Sequence, residues 1–479
     1  MIADLKPYSA MSDSGVPWLG KVPEDWDVRR LRNTAEMRVS NVDKHTRDDE
    51  QPVRLCNYVD VYKNDRIRSG MAFMRSTAST DEIERFRLLL GDVLITKDSE
   101  SWSDIGVPAL VEATADDMIC GYHLALLRPY VERVHGSFLF RALQSTPIAY
   151  QFHVEANGVT RYGLSHSAIK SVWLPVPSLP EQAAIVRFLD YADRRIRRYI
   201  RAKQKLIKLL KEQKQVIINR AVTHGLDPNV RLKPSGVEWL GEVPEHWEVR
   251  RNGRLFAQRN ETGHAGLPIL EVSLKTGVRV RDLADGNRKQ VMSDHDKYKK
   301  AAAGDIAYNM MRMWQGAVGI APIDGLVSPA YIVARPLGGI NVDYYESLFR
   351  TATYMREVNN CSRGIVQDRN RLYWEDFKQI SSPFPPLAEQ KQIADAIAER
   401  SRGINGTIAD MNSTISFLRE YRTRLIADVV TGKLDVRAAA ANLPDEADEL
   451  DSPDDTDALA EGDEPAEGDP DAAPEEAEA

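Results

Sequence analysis

The chain has 479 residues, 43% of them hydrophobic, enough for roughly three domains with cores of their own. No apolar run reaches the ~18 residues a membrane span needs. The opening MIADLKPYSAMSDS lacks the charged-then-apolar pattern of a signal peptide, so a cytoplasmic protein with no membrane partner is expected. The net charge of −8 hides two opposed regions. Seventeen of the 71 acidic residues lie between Asn442 and Ala479, where no basic residue occurs; the remaining 54 face 63 bases, so the body carries +9. Cys56, Cys120 and Cys361 are far apart in sequence, which points to buried thiols and away from a disulfide framework or a cysteine zinc site.

Residues 1–26 read as an N-terminal lead-in segment, in which GVPWLGKVPEDWDVRR, from Gly15, sets Trp18 and Trp26 among glycines and prolines as packing anchors. Residues 27–177 mix short apolar runs, GDVLITK and LALLRPY, with turn signals, the pattern of a mixed α/β domain. LPVPSLPEQ, from Leu174, closes that domain. Residues 178–226 predict a long helix. From Glu181 to Val222 there is no Gly or Pro, and Ile185, Leu189, Ala192, Ile196, Tyr199, Leu206, Leu210 and Ile217 fall on a heptad.

Residues 227–247 are a linker followed by the same lead-in, GVEWLGEVPEHWEVRR, with Trp239 and Trp247 in place. Residues 248–385 form a second mixed domain, with GDIAYNM and YIVARPL where the first has GDVLITK and LALLRPY. SPFPPLAEQ, from Ser382, closes it. Residues 386–437 predict a second long helix, with Gly403 and Gly406 as candidate kink positions. The acidic segment 438–479, rich in Ala, Pro and Gly, is expected to be disordered. Paired blocks in one order, a period of about 210 residues, describe a duplicated domain-plus-helix unit. The expected fold class is α+β, a mixed α/β architecture with two similar domains separated by two long helices that form an antiparallel coiled coil, pseudo-twofold as a whole.

Motifs for catalysis are missing. There is no Walker loop, no Asn- or Asp-Pro-Pro-aromatic motif and no Gly-rich methyl-donor turn. No H-E-x-x-H or G-x-S-x-G occurs either. Polar, basic and aromatic residues do recur at equivalent places in Gly-bearing loops. The first domain offers Lys97, Ser101 and Trp102 after DVLITK, then Asn157, Thr160, Arg161 and Tyr162 in ANGVTRYGLS. The second offers Asn309, Arg312, Trp314 and Gln315 after GDIAYNM, then Arg363, Gln367, Arg369 and Asn370 before the helix. Asn, Gln and Arg suit adenine and guanine edges in the major groove, while some of these cations would instead grip phosphate.

Two divergent domains, each led in by W-x-G-x-V-P-x-x-W, closed by a Glu-Gln helix start and followed by a long helix, resemble the specificity subunit (HsdS) of type I restriction-modification systems. The resemblance covers residues 12 to 437. It implies that residues 27–177 and 248–385 are target-recognition domains, each reading one half of a bipartite, asymmetric site on double-stranded DNA. It implies further that the helices act as a spacer and help to dock two modification (methyltransferase) subunits, which motor-nuclease restriction subunits then join. No catalytic residue, metal or cofactor is expected on this chain; S-adenosylmethionine, ATP and magnesium would belong to the partners. The alternative is a coiled-coil DNA-binding scaffold or regulator acting without methyltransferase partners.

Overall fold

The computed structural model describes residues 5–281, 295–364 and 370–444, so the acidic segment beyond Pro444 lies outside the described residues. These form two compact units, 5–203 with 413–444, and 204–412. Each contains one mixed α/β domain and part of each long helix.

In the first unit a short hairpin pairs Met11–Asp13 with Lys21–Pro23, and strand Asp27–Arg30 pairs antiparallel with Trp173–Val176. That pairing zips the start of the domain to its end, just before the helix. The main sheet has five strands, in the order Ala35–Val39, Leu124–Pro129, Val93–Thr96, Pro108–Val111, Arg66–Ile67. Val93–Thr96 lies at its centre and is buried along its length, which is why that stretch reads as an unbroken β-branched and aliphatic run. A second sheet orders Met118–Cys120, Gln51–Cys56 and Met74–Ala78. It sets Cys56 and Cys120 in register on parallel strands, both buried free thiols; Cys361, by contrast, is only half-buried. Helices Gly136–Gln144, Thr146–Glu155 and His166–Ser171 complete the domain.

The second unit repeats the frame. Its hairpin pairs Leu232–Pro234 with Glu242–Pro244, and Glu248–Arg251 pairs with Ser381–Phe384. A four-stranded sheet orders Phe256–Arg259, Tyr331–Pro336, Ile306–Asn309 and Val318–Ile320, with helices Val342–Phe349, Ala352–Cys361 and Trp374–Phe377 following. The repeated Gly-Asp dipeptide has one physical job in both. Gly91 (φ +85°) and Gly304 (φ +87°) take a left-handed turn that a side chain would strain. The next carboxylate then accepts from the turn and from an arginine: Asp92 from the Leu89 N–H at 2.7 Å and from Arg128, Asp305 from the Ala302 N–H at 2.9 Å and from Arg259.

The repeated Glu-Gln at the helix starts is equally explained. Gln182 accepts from the His135 N–H at 2.9 Å and donates to the carbonyls of Arg133 and Pro177. Gln390 accepts from the Asn341 N–H at 2.9 Å and donates to those of Gly339 and Pro385. Each amide, fully buried, thus fastens a mixed α/β domain to its long helix. The lead-in tryptophans Trp26 and Trp247 are buried in the two main cores. Gly432 and Gly225, which end the long helices, sit against them with φ near +75°, and a Cβ at Gly432 would strike Pro23.

The long helices are Leu179–His224, 46 residues or about 69 Å, and Leu387–Val430, 44 residues or about 66 Å. The second runs without a break through Gly403 and Gly406. Within the first unit 413–430 packs on 179–203, and within the second 204–224 pairs with 387–412, antiparallel in each. The heptad register needs correction: Tyr199 and Leu206 are exposed, while Ile200 and Ile207 take the packed face. The packed face follows an eleven-residue spacing instead: Ile185, Ile196 and Ile207 buried with Ile218 half-buried in the first helix, and Ile393, Ile415 and Ile426 buried with Ile404 half-buried in the second. Eleven residues in three turns is about 3.67 per turn, against 3.5 for a heptad.

Candidate nucleic-acid interface

In the first unit the buried strand Val93–Thr96 leads into the loop 97–106. Its first residues, Asp98–Ser99, pair antiparallel with Tyr162–Gly163. Asn157 and Gly163 exchange main-chain hydrogen bonds at 3.1 and 2.9 Å, and the Leu164 N–H donates to the Lys97 carbonyl at 2.9 Å. The two candidate segments are therefore one structure, a hairpin 157–163 stitched to the strand exit. Val159 at its tip is 94% exposed, and Thr160 and Arg161 beside it are exposed too.

Around that hairpin, Trp102 is 47% exposed and meets His153 edge-on at 6.2 Å. Burial lowers the pKa of His153, so this support ring is biased toward neutral. Ser101 shares a hydroxyl contact with Ser103, and the Lys97 Nζ lies 3.4 Å from Asp98. Asn157 donates to the Glu155 carbonyl at 2.8 Å, which spends part of its amide on the loop itself. Tyr162 is half-buried against the core. Helix Tyr58–Lys63 adds two aromatics that sequence reasoning missed: Tyr58 and Tyr62 stack at 5.6 Å, and the Tyr62 hydroxyl donates to Asp104 of the exit loop at 2.6 Å. Their i, i+4 spacing was the available signal.

The second unit repeats the main-chain bridge and its tie to the strand exit. Arg363 and Arg371 exchange main-chain bonds at 3.0 and 2.9 Å, and the Leu372 N–H donates to the Met310 carbonyl at 2.8 Å, the counterpart of the Leu164–Lys97 bond. Arg363 pairs with Asp376 yet leaves 69% of its side chain exposed. Asn370 donates to Asn359 at 3.0 Å. Gln367 and Arg369 lie outside the described residues. Gln315 is exposed and Arg312 half-buried.

Two expected readers are corrected here. Asn309, at 3% exposure, is buried at the end of the central strand, and its Oδ1 accepts from the Met311 N–H at 2.9 Å, so its amide turns the chain and has no face for a base. Trp314 is no free stacking platform either: it packs on the core and donates its indole N–H to the Met311 carbonyl at 3.0 Å. Among the described residues no group of three or more His, Cys, Asp or Glu is placed to hold a metal.

Two mixed α/β domains, each carrying a main-chain bridge beside a strand exit and each fastened to a long helix by a buried glutamine, define a duplicated domain-plus-helix unit. Residues 23–209 match the family model of the type I restriction modification DNA specificity domain. Two relatives come from Methanocaldococcus jannaschii. The MjaX specificity subunit is 24% identical over 439 residues, 88% of this chain and 96% of the relative. The type I restriction enzyme MjaVIII specificity subunit is 21% identical over 439 residues, 87% and 95%. A solved structure from work on complex assembly and conformational transition of the type I restriction-modification system aligns with a TM-score of 0.61 at 16% identity, covering 86% of this chain and 99% of that one, which bears on the fold alone. Residues 23–209 thus carry the family's DNA specificity domain, and over most of its length the chain is similar to type I specificity subunits.

Proposed function

We propose that this chain reads a bipartite, asymmetric site on double-stranded DNA, one recognition domain per half-site, with the long helices as the spacer between the two readings. The observation that carries this reading is the main-chain bridge tied to the strand exit, Asn157 with Gly163 in one unit and Arg363 with Arg371 in the other, set among different residue types. Each half contributes a few contacts of about 1 to 3 kcal/mol, so useful specificity needs both at once. A stiff spacer supplies that simultaneity as a high effective concentration.

In this reading two modification subunits dock along the helical regions and motor-nuclease subunits join them. The methyl donor, ATP and magnesium belong to those partners, and methylation and cleavage are theirs. No helix among the described residues is long and apolar enough to cross a membrane. The test is to assemble the purified chain with its modification subunits and map modified bases in DNA by single-molecule sequencing. Two short half-sites separated by a fixed nonspecific gap are expected, with no methylation by the chain alone. One continuous site, or methyl transfer by the isolated chain, would overturn the proposal.

A further inference from the structure

We propose that His123, held against Asp98, is a specificity-determining residue of the first recognition domain, accepting a hydrogen bond through Nε2 from the exocyclic amine of an adenine or cytosine in the major groove. This rests on reading that domain as a half-site reader.

His123 is the one non-glycine residue with positive φ among the described residues, at +70°. An L side chain is crowded there and glycine is not, so a histidine is a strained choice for a turn. Such strain collects at functional sites, where the side chain matters more than the turn. The residue lies between strands Met118–Cys120 and Leu124–Pro129, and its carbonyl accepts from the Lys97 N–H at 3.0 Å. That bond fixes it to the same strand exit that carries the hairpin 157–163.

Its ring is aimed by one contact. Nδ1 lies 2.6 Å from Asp98 Oδ2, and Asp98 is itself held by the Lys97 Nζ at 3.4 Å. A carboxylate oxygen accepts here, so the contact selects the tautomer with its hydrogen on Nδ1, and that tautomer presents Nε2 as its acceptor. Among the described residues Nε2 has no hydrogen-bond partner, and the side chain is 27% exposed. The exposed Tyr122 leans on the ring at 3.8 Å between centroids, restricting its rotation and extending the aromatic surface.

The second unit shows that the frame does not require this cluster. Aligned on the shared main-chain bonds and on LALLRPY against YIVARPL, Lys97, Asp98, Tyr122 and His123 fall opposite Met310, Met311, Pro329 and Ala330. The cluster is particular to one half, as a residue that distinguishes one half-site from the other must be.

The experiment uses the full chain assembled with its modification subunits. Wild type, His123→Gly, His123→Asn and Asp98→Asn each select bound sites from a randomised DNA library, and each is unfolded thermally. His123→Gly relieves the strain, so an unchanged or higher Tm is expected together with a loss of about tenfold in base preference at one position of one half-site. The other half-site and the salt dependence of binding stay as in wild type, because no phosphate contact is removed. Asp98→Asn changes the preference at that same position. His123→Asn, a residue type that tolerates positive φ but presents a shorter amide with both a donor and an acceptor, changes the preferred base at that position should the glycine variant prove unstable. Wild-type preferences in both His123 variants, or an equal loss in both half-sites, overturn the assignment. A wild type that selects no sequence at all instead overturns the half-site reading on which it rests.

Discussion

The two units share a frame and differ in what holds each recognition domain to its helices. In the first unit the fully buried Arg141 reaches Asp190 at 2.5 Å and Asp193 at 3.2 Å, while Arg422 of the second helix reaches Asp193 at 2.5 Å. Arg197 pairs with both Asp193 and Asp65, Arg422 extends to Asp65 at 3.3 Å, and Arg66 reaches Asp190 at 3.1 Å. Domain and both helices are thereby joined by one charge network. Counted from the equivalent Gln182 and Gln390, and by the helix repeat, Arg141, Asp190, Asp193, Arg197 and Arg422 fall opposite Ser347, Ala398, Ser401, Asn405 and Lys214. Among the described residues those positions carry the bond from the Lys214 Nζ to Asn405 Oδ1 at 3.0 Å. The second unit relies instead on its aromatic core and on neutral bonds: the Tyr344 hydroxyl donates to the Val222 carbonyl, and that of Thr353 to Asn219, both at 2.7 Å. Buried charges demand a particular geometry before they stabilise, so the first junction is the more sharply specified and the more vulnerable to losing one member.

The largest expected effect follows from removing that member. Asp193→Ala leaves three guanidiniums without their shared carboxylate and should destabilise the first unit by about 3 to 5 kcal/mol. Hydrogen exchange read separately for 5–203 and 204–412 checks it, with lost protection in the first and little change in the second. Equal loss in both units would mean that the junctions are not independent.

Acid should break the same comparison without mutation. Burial raises the pKa of Asp193, but Arg422, Arg141 and Arg197 outweigh it and hold the carboxyl well below its ordinary range; at Asp65 burial is likewise overcome by Arg197 and Arg422. A folded pKa below the unfolded one gives stability that is present above about pH 4 and lost as pH falls through the folded value. In the second unit burial raises the pKa of Glu346, a contribution that is fully present below the unfolded value and lost as pH rises. On acidification the first unit should therefore open at a higher pH than the second. Simultaneous opening, followed by hydrogen exchange between pH 6 and 3 (roughly the carboxylate range), would contradict this.

The shared fastening should show no such asymmetry. Gln182→Ala and Gln390→Ala each strand one buried N–H and two carbonyls, and each should destabilise its own unit by about 1 to 3 kcal/mol. A large effect in one unit with none in the other would show that the repeated Glu-Gln has diverged in role.

Much of the architecture is legible in the sequence because it is written twice. Paired tryptophans, Gly-Asp turns and Glu-Gln starts mark equivalent elements by residue type and order alone. The charge network is not legible, because Asp65, Arg141, Asp193 and Arg422 come from four distant segments and none stands out within its own window. The helix register misleads for a geometric reason: a heptad and an eleven-residue spacing coincide over the first turns, at Ile185, Leu189, Ala192 and Ile196, and part only at Tyr199 against Ile200. Asn309 looks like a reader because its residue type suits a base edge, and only burial shows that the turn consumes its amide. His123 gives no signal at all, since positive φ and the Asp98 contact exist only after the strands assemble.

The smallest expected effect tests whether the second junction is as indifferent to charge as it looks. Lys214 is partly buried and desolvation lowers its pKa, with Arg350 nearby pushing the same way, so its ammonium gains little from its surroundings beyond the bond to Asn405. A single hydrogen bond of this kind, half exposed and neutral on one side, contributes about 0.5 to 1 kcal/mol. Lys214→Met keeps the aliphatic stem against the helix pair and removes both the bond and the buried charge, two changes of opposite sign. The second unit should therefore shift by less than about 1 kcal/mol, where Arg422→Met at the equivalent place in the first should cost several times more by leaving Asp193 and Asp65 short of a partner. Chemical denaturation of both variants, with hydrogen exchange to assign the unit affected, separates them. Comparable losses would mean that Lys214 takes part in a charge network of its own and that the contrast between the two junctions is one of degree.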